Sequence, residues 1–127
     1  MWPVAFKILV TGSRTLTQEH APLVYQALNN LAGDKLPVLI IHGNANGADA
    51  IADAWAVECM YALPVRVPAD WNNYGARAGT SRNEMMLELK PDHVLAFPVQ
   101  GLPNKGTNHM IAIAHKAEVP VTVVEVH

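Results

Sequence analysis

A chain of 127 residues, 50% hydrophobic and 16% charged with a formal charge of −2, has the size and composition of one compact domain, which excludes disorder and collagen. Folding at this length buries roughly two-thirds of the surface the unfolded chain exposes, so neither disulfides nor a structural metal is required. The single cysteine, Cys59, cannot form an intramolecular bridge, and 9 Lys and Arg against 11 Asp and Glu leave no basic block for sequence-independent binding to nucleic acid or a membrane surface.

The chain opens on Met-Trp-Pro-Val-Ala-Phe, which lacks the charged region and the long apolar stretch of a signal peptide, and no later apolar run approaches the ~20 residues of a spanning helix. The expectation is a cytoplasmic, reduced protein with no membrane partner. Short β-branched runs then alternate with segments of helical period. Phe6 to Thr11, Val38 to His42, Pro64 to Val67, His93 to Phe97 and Val121 to Val126 read as five strands. Glu19 to Ala32, Ala48 to Ala62, Thr80 to Leu89 and Thr107 to Ala117 read as four helices, with apolar residues three or four apart, as in Ile51, Trp55, Cys59 and Ala62. Pro22 is tolerated only in a first turn, so the first helix starts after Thr17. Strict β-α alternation with strands apolar on both faces predicts an α/β, Rossmann-like, doubly wound parallel sheet of five strands in a single domain spanning 1–127. In such sheets ligands sit at the carboxyl ends of the strands.

The loops at those ends carry the unusual residues. After the first strand, Gly12 permits close backbone approach, Ser13 supplies a hydroxyl and Arg14 a planar donor fork suited to phosphate or carboxylate. After the second, His42-Gly43-Asn44-Ala45-Asn46-Gly47-Ala48-Asp49 places two glycines before a helix N-terminus, an anion cradle in which Asp49 either bonds a ribose hydroxyl or complements the helix dipole. It is neither a dinucleotide fingerprint nor a Walker loop. The third loop, Pro68 to Gly79, is long and polar yet holds Trp71 and Tyr74, which could stack on a base or cap the edge of the core. Arg82 follows near the expected start of the third helix, where a cation is unfavourable unless an anion is present; a surface ion pair with Glu84, Glu88 or Asp70 is the alternative account, and the anion is the favoured one. After the fourth strand, Lys105, Gly106 and Thr107 again meet helix N-terminal amides, in a loop expected to lie beside the one after the second strand.

Taken together, Val10-Thr11-Gly12-Ser13-Arg14, His42-Gly43-x-Ala45-x-Gly47-Ala48-Asp49, Pro68-Ala69-Asp70-Trp71, Gly79-x-x-Arg82-Asn83-x-x-Met86 and Lys105-Gly106-Thr107 resemble the YspA-type (cpYpsA-related) family of the SLOG superfamily. That Rossmann-like group includes the lonely-guy cytokinin-activating enzymes and the DNA-processing protein DprA. The resemblance implies a nucleotide-class ligand, but not an activity, because such proteins include phosphoribohydrolases, sensors of nucleotide signals and DNA-binding proteins. It also implies that Arg82 and Asn83 lie near a ribose phosphate and that Gly106 and Thr107 end a phosphate loop. Two departures stand out: Gly101-Leu102-Pro103-Asn104-Lys105 lacks paired glycines, and Asn108, His109 and Met110 stand where lonely-guy enzymes have an acidic residue after Gly-Thr. The second departure counts against hydrolysis, since cleaving an N-glycosidic bond needs a carboxylate at the ribosyl centre.

The expected function is therefore binding of a nucleotide or nucleotide-derived phosphorylated ligand, with Gly12, Ser13, Arg14, Gly43, Asn44, Gly47, Asp49, Trp71, Arg82, Asn83, Lys105, Gly106 and Thr107 around it. The alternative is a nucleoside 5′-monophosphate phosphoribohydrolase in which Arg82 orients the phosphate and Glu84 or Asp70 steadies the ribosyl centre. Single-stranded DNA binding ranks third, because the slightly acidic domain offers no positive groove. No cofactor and no metal is expected: the histidines show no i, i+4 pair on one helix, and there is no Cys-x-x-Cys. Neither serine lies in a nucleophile elbow. The resemblance also implies a homodimer, since lonely-guy enzymes pair through their helices, and apolar positions such as Met85 and Ile111 could serve that contact.

Overall fold

In the computed structural model, which describes residues 4–127, the β-branched runs form one sheet. Its strands are β1 (Phe6–Gly12), β2 (Val38–His42), β3 (Ala62–Arg66), β4 (His93–Phe97) and β5 (Val121–Val123), all neighbours parallel, in the order β3-β2-β1-β4-β5. The period of two sends Ile8 and Val10 to one face, where α1 (Ala21–Ala32) and α2 (Ala48–Glu58) cover them through Val24, Leu28, Ile51 and Trp55. Leu9, Ile41 and Val94 meet the other face, closed by Met86 of α4 (Ala78–Glu88) and by Met110 and Ala114 of α5 (Lys105–Lys116). Burial on both faces is why these strands are continuous apolar runs. Met1, Trp2 and Pro3, the start of the segment read above for a leader, lie outside the described residues.

Several boundaries differ from the sequence expectation. Pro22 does fall in the first turn of α1, behind a 3-10 turn at Gln18–His20 in which the Thr17 N–H donates to His20 Nδ1 at 2.9 Å. Helix α2 ends at Glu58 rather than Ala62: Cys59 is already extended, and Ala62 opens β3 opposite Val38. Pro64 is tolerated inside β3 because that strand is an edge. β5 stops at Val123, and Val126 returns only as an isolated bridge to Val99. The polar third loop folds into a one-turn helix α3 (Trp71–Tyr74), capped by the Asp70 carboxylate on Asn73 N–H at 3.2 Å, and a 3-10 turn at Gly75–Arg77 that runs straight into α4. Arg82 is consequently a full turn inside α4, not at a helix start, and the dipole argument does not apply to it.

The chain winds from β1 outward to β2 and β3, then crosses to the far side of β1 for β4 and β5. The winding reverses between β1 and β4, and a crevice opens at their carboxyl ends. The loop after β4 therefore neighbours the loop after β1, with the β2 loop one strand further away, rather than lying directly beside the β2 loop. Gly12 sits at this seam, opposite Phe97. A Cβ on Gly12 would stand 2.7 Å from the Ala48 Cβ and 2.9 Å from the Phe97 Cβ. Gly12→Ala is expected to cost about 1–3 kcal/mol by pushing the start of α2 off the sheet, read as a lower urea midpoint at unchanged m value.

Candidate functional site

A cavity of about 340 Å³ opens at the crevice. The end of β1 supplies Thr11, Gly12, Ser13 and Arg14; the start of α5 supplies Lys105, Gly106 and Thr107; Asp49, Arg82 and Asn83 complete its wall. Ser13 is tied down on both sides, its N–H donating to Phe97 O at 3.1 Å and its carbonyl accepting from Ala48 N–H at 3.1 Å. Asn104, in the left-handed region at φ 52°, begins α5. Its side chain accepts from Val99 N–H at 3.0 Å and donates to the carbonyls of Val99 and Leu102 at 2.8 Å, which fixes the entry loop. No side chain caps α5, and its first residues, Lys105, Gly106 and Thr107, line the cavity, so the positive end of its dipole lies beside it. Thr107 is almost fully buried there, and a Cβ on Gly106 would meet nothing within 4 Å.

The loop between β2 and α2 is built differently from the expected open cradle. Asp49, 6% exposed, accepts from Gly43 N–H at 3.0 Å and Ala45 N–H at 3.3 Å through Oδ2. The anion in this cradle is thus the chain's own carboxylate. His42 Nδ1 takes the Asn44 N–H at 3.0 Å, so Nε2 carries the proton and donates to Asp53 at 2.6 Å. Arg66 on β3 grips Asp53 with both prongs, at 2.7 and 3.0 Å. Gly47, at φ +77°, could not carry a side chain: its Cβ would strike the Ser13 carbonyl and lie 2.7 Å from the Arg14 Cα.

Arg82 reaches across from α4. Its Nη1 donates to Gly43 O at 2.8 Å and its Nε to Asn83 Oδ1 at 3.1 Å. Asn83, 3% exposed, passes the linkage on, its amide donating to Gly106 O at 3.2 Å and to His109 Nδ1 at 3.0 Å. Among the described residues the ion pair between charged side chains joins Arg66 to Asp53, so Arg82 is half-buried with no carboxylate bonded to it. Burial lowers its pKa from the ordinary value, Asp49 opposes that, and the nearby Arg14 lowers it further. For Asp49 burial dominates and raises the pKa, against the pull of His42, Arg82 and the loop N–H groups. Asp53 is lowered, first by the hydrogen bond from Arg66.

The structure brings Gly12, Ser13, Arg14, Asp49, Arg82, Asn83, Lys105, Gly106 and Thr107 to the one cavity. Gly43, Asn44 and Trp71 line a second cavity of about 260 Å³ that shares Arg14, Ala45 and Arg82 with the first. Gly47 lines neither and acts as a tight joint. Glu84 is exposed on α4, two residues and so more than half a turn from Arg82, and does not reach the main cavity. Asp70 caps α3 and borders a third cavity that Tyr74 and Arg82 also line. None of Glu84, Glu88 and Asp70 pairs with Arg82. Thr11, Met86 and Asn104, which the sequence offers as motif and loop positions but not as site residues, also line the main cavity. Met86, one turn after Arg82, carried a helical-period signal; the double grip of Asn104 on the loop carried none. Among the described residues there is no group of three or more His, Cys, Asp or Glu that could hold a metal ion, and no helix long and apolar enough to cross a membrane.

Residues 6–74 match the YspA, cpYpsA-related SLOG family. Over 120 residues the chain is 37% identical to the Gene 61 protein of Mycobacterium phage D29, covering 91% of this chain and 93% of that protein. Among solved structures it is similar to the C-terminal domain of a hydrogenase from Pyrococcus furiosus. One crystal structure of that domain gives 18% identity, 97% and 93% coverage of this and that chain and a TM-score of 0.48. A second gives 17% identity, 94% and 92% coverage and a TM-score of 0.47. The family match stops before Arg82 and Lys105; the phage protein extends the likeness to nearly the whole chain.

The two perturbed carboxyls act on stability with opposite signs. Asp53 binds fewer protons folded than unfolded, so its contribution is present above the ordinary value of 3.8 and is lost as pH falls through the lower folded value. Asp49 binds more protons folded than unfolded, so stability declines as pH rises from 3.8 through its raised folded value. Asp53→Asn is expected to flatten the acid-side loss. Asp49→Asn, which keeps an oxygen for the Gly43 and Ala45 amides, is expected to be at least as stable as the parent near neutral pH, its advantage shrinking toward about pH 4. Urea titrations across this range check both.

Proposed function

Because the chain belongs to the YspA, cpYpsA-related SLOG family, we propose that its crevice binds a nucleotide or nucleotide-derived phosphorylated ligand, with the phosphate among Arg14, Arg82, Lys105 and the start of α5. The observation that carries this reading is the charge arrangement. Three cationic side chains and an uncapped helix N-terminus converge on one cavity whose sole lining carboxylate is Asp49, and Asp49 is already spent on its own loop. A half-buried guanidinium with no carboxylate bonded to it, its desolvation offset only in part by Asp49, is costly, and an oxyanion placed beside it is favourable. The volume is at the small end of the roughly 300–1,000 Å³ range of small-ligand sites, the size of a compact polar ligand. SLOG membership supports a nucleotide-related ligand at the level of class. Glu84 and Asp70, the carboxylates that hydrolysis would need, stand outside this cavity, which favours sensing, sequestering or presenting the ligand over cleaving it. We place Thr107 on the phosphate and Ser13 beside it, and propose a homodimer using Met85, half exposed on α4.

Native mass spectrometry with adenine and guanine mononucleotides, ribose 5-phosphate, NAD, ADP-ribose and cyclic ADP-ribose tests the reading and reports the oligomer in the same spectrum. A bound, intact phosphorylated ligand is expected. Arg82→Ala is expected to weaken it roughly ten- to a hundredfold, the loss of a charge-assisted hydrogen bond worth about 1.5–3 kcal/mol. Gly106→Ala adds a Cβ that meets nothing within 4 Å in the first turn of α5, so it is expected to weaken binding without lowering the melting temperature. Free base and ribose phosphate accumulating in the tube would instead make the protein a phosphoribohydrolase, with Glu84 and Asp70 the carboxylates to test first. Absence of every phosphorylated ligand would overturn the proposal.

A further inference from the structure

Arg82 and Arg14 form a wall common to two cavities, and the second, on the side away from α5, differs in character from the first. Its lining includes the Trp71 indole, Pro68, and the loop positions Asn44 and Asn46. Trp71 is 52% exposed and belongs to neither core cluster, unlike Trp55, which is buried and donates its indole N–H to Asn29 at 2.9 Å. Capping the core edge therefore does not explain it. Asn44 and Asn46 are exposed, and their carboxamides make no hydrogen bond among the described residues, although the backbone around them is pinned by His42 and Asp49. A flat, half-exposed indole beside two carboxamides on a fixed loop offers a stacking face together with donors and acceptors for the edge of a planar ring.

We propose that this lobe is a nucleobase subsite: the ligand lies across the Arg14 and Arg82 wall with its phosphate at α5 and its base against Trp71, its edge read by Asn44 and Asn46. The inference rests on the phosphate site proposed above. It makes the ligand an intact nucleotide, with a sugar bridging the shared wall, rather than a sugar phosphate or a free inorganic anion.

Calorimetric titration of the full chain with adenosine 5′-monophosphate, guanosine 5′-monophosphate and ribose 5-phosphate separates the two lobes. At least one mononucleotide is expected to bind about tenfold or more tightly than ribose 5-phosphate, the gain that base stacking on an aromatic side chain typically gives. Trp71→Ala is expected to bring that mononucleotide down to the level of ribose 5-phosphate, and Trp71→Phe to restore most of the difference. Asn44 adopts φ 57°, so Asn44→Gly removes a carboxamide without strain and is expected to narrow the preference between the two bases. Tyr74→Ala, on the same one-turn helix but outside this lobe, is expected to leave the ratio in place and controls for disturbance of α3. If ribose 5-phosphate binds as well as both mononucleotides, or Trp71→Ala leaves the ratio intact, the base subsite is wrong while the phosphate site stands. If none of the three binds, the base subsite as stated is wrong, and the phosphate site is decided separately by the wider panel of phosphorylated ligands above.

Discussion

The Arg82 guanidinium occupies the space in which any residue but glycine at position 43 would carry its side chain: a Cβ there would collide with Nη1 and stand 2.6 Å from Cζ. This one close approach joins segments that are 39 residues apart in the chain. It fixes α4 against the end of β2, and through Asn83 it fixes α4 against the first turn of α5. The cation is thereby held at the mouth of the crevice by neutral partners, a carbonyl and a carboxamide, which orient it without cancelling its charge. A carboxylate in the same place would have satisfied Arg82 and closed it to ligands.

Two other acids show how the fold handles charge around that point. Asp53 is partly open to water and doubly gripped by Arg66, so its charge is welcome and it serves as a rigid strut between β3 and His42. Asp49 is buried, and its charge is tolerated because two backbone N–H groups and the field of Arg82 and His42 offset part of the desolvation. Both carboxylates project from α2 and hold the same loop, Asp53 through His42 and Asp49 through the Gly43 and Ala45 amides. A loop ordered before the ligand arrives loses little freedom on binding, which raises affinity without adding contacts.

Hydrophobic period reveals most of this architecture from the sequence. Ile8-Leu9-Val10 and Val38-Leu39-Ile40-Ile41 can only be strands buried on both faces, and the parallel order follows from the alternation. What the period misses is short or tertiary. Helix α3 has four residues and no amphipathic face, so it reads as loop. Cys59 and Ala62 extend the stripe of α2 by coincidence, since Ala62 is buried as the first residue of β3. Arg82 stands out in the sequence because a cation near an expected helix start is anomalous; in the fold the anomaly is its burial without a carboxylate, which depends on where β2 and α4 meet. Glu84 illustrates the same limit: nearness in sequence to Arg82 places it on the solvent side of the same helix.

The glycines sharpen the point. A sequence reading treats Gly12, Gly43, Gly47 and Gly106 alike, as places where a phosphate could approach the backbone. Three of the four are filled by the protein itself: Gly12 by Ala48 and Phe97, Gly43 by Arg82, and Gly47 by the backbone of Ser13 and Arg14. The N–H groups that would make the β2 loop an anion cradle are consumed by Asp49 and His42. Only Gly106 opens on empty space, in the first turn of a helix that no side chain caps. Neither helix N-terminus near the crevice has a side-chain cap, but the loop that leads into α2 already holds the Asp49 carboxylate and Ala48 N–H is spent on the Ser13 carbonyl, whereas Lys105, Gly106 and Thr107 at the start of α5 line the open cavity. The shared wall of Arg14 and Arg82 then sets the direction in which the rest of a phosphorylated ligand extends, away from α5 and toward the lobe that holds Trp71.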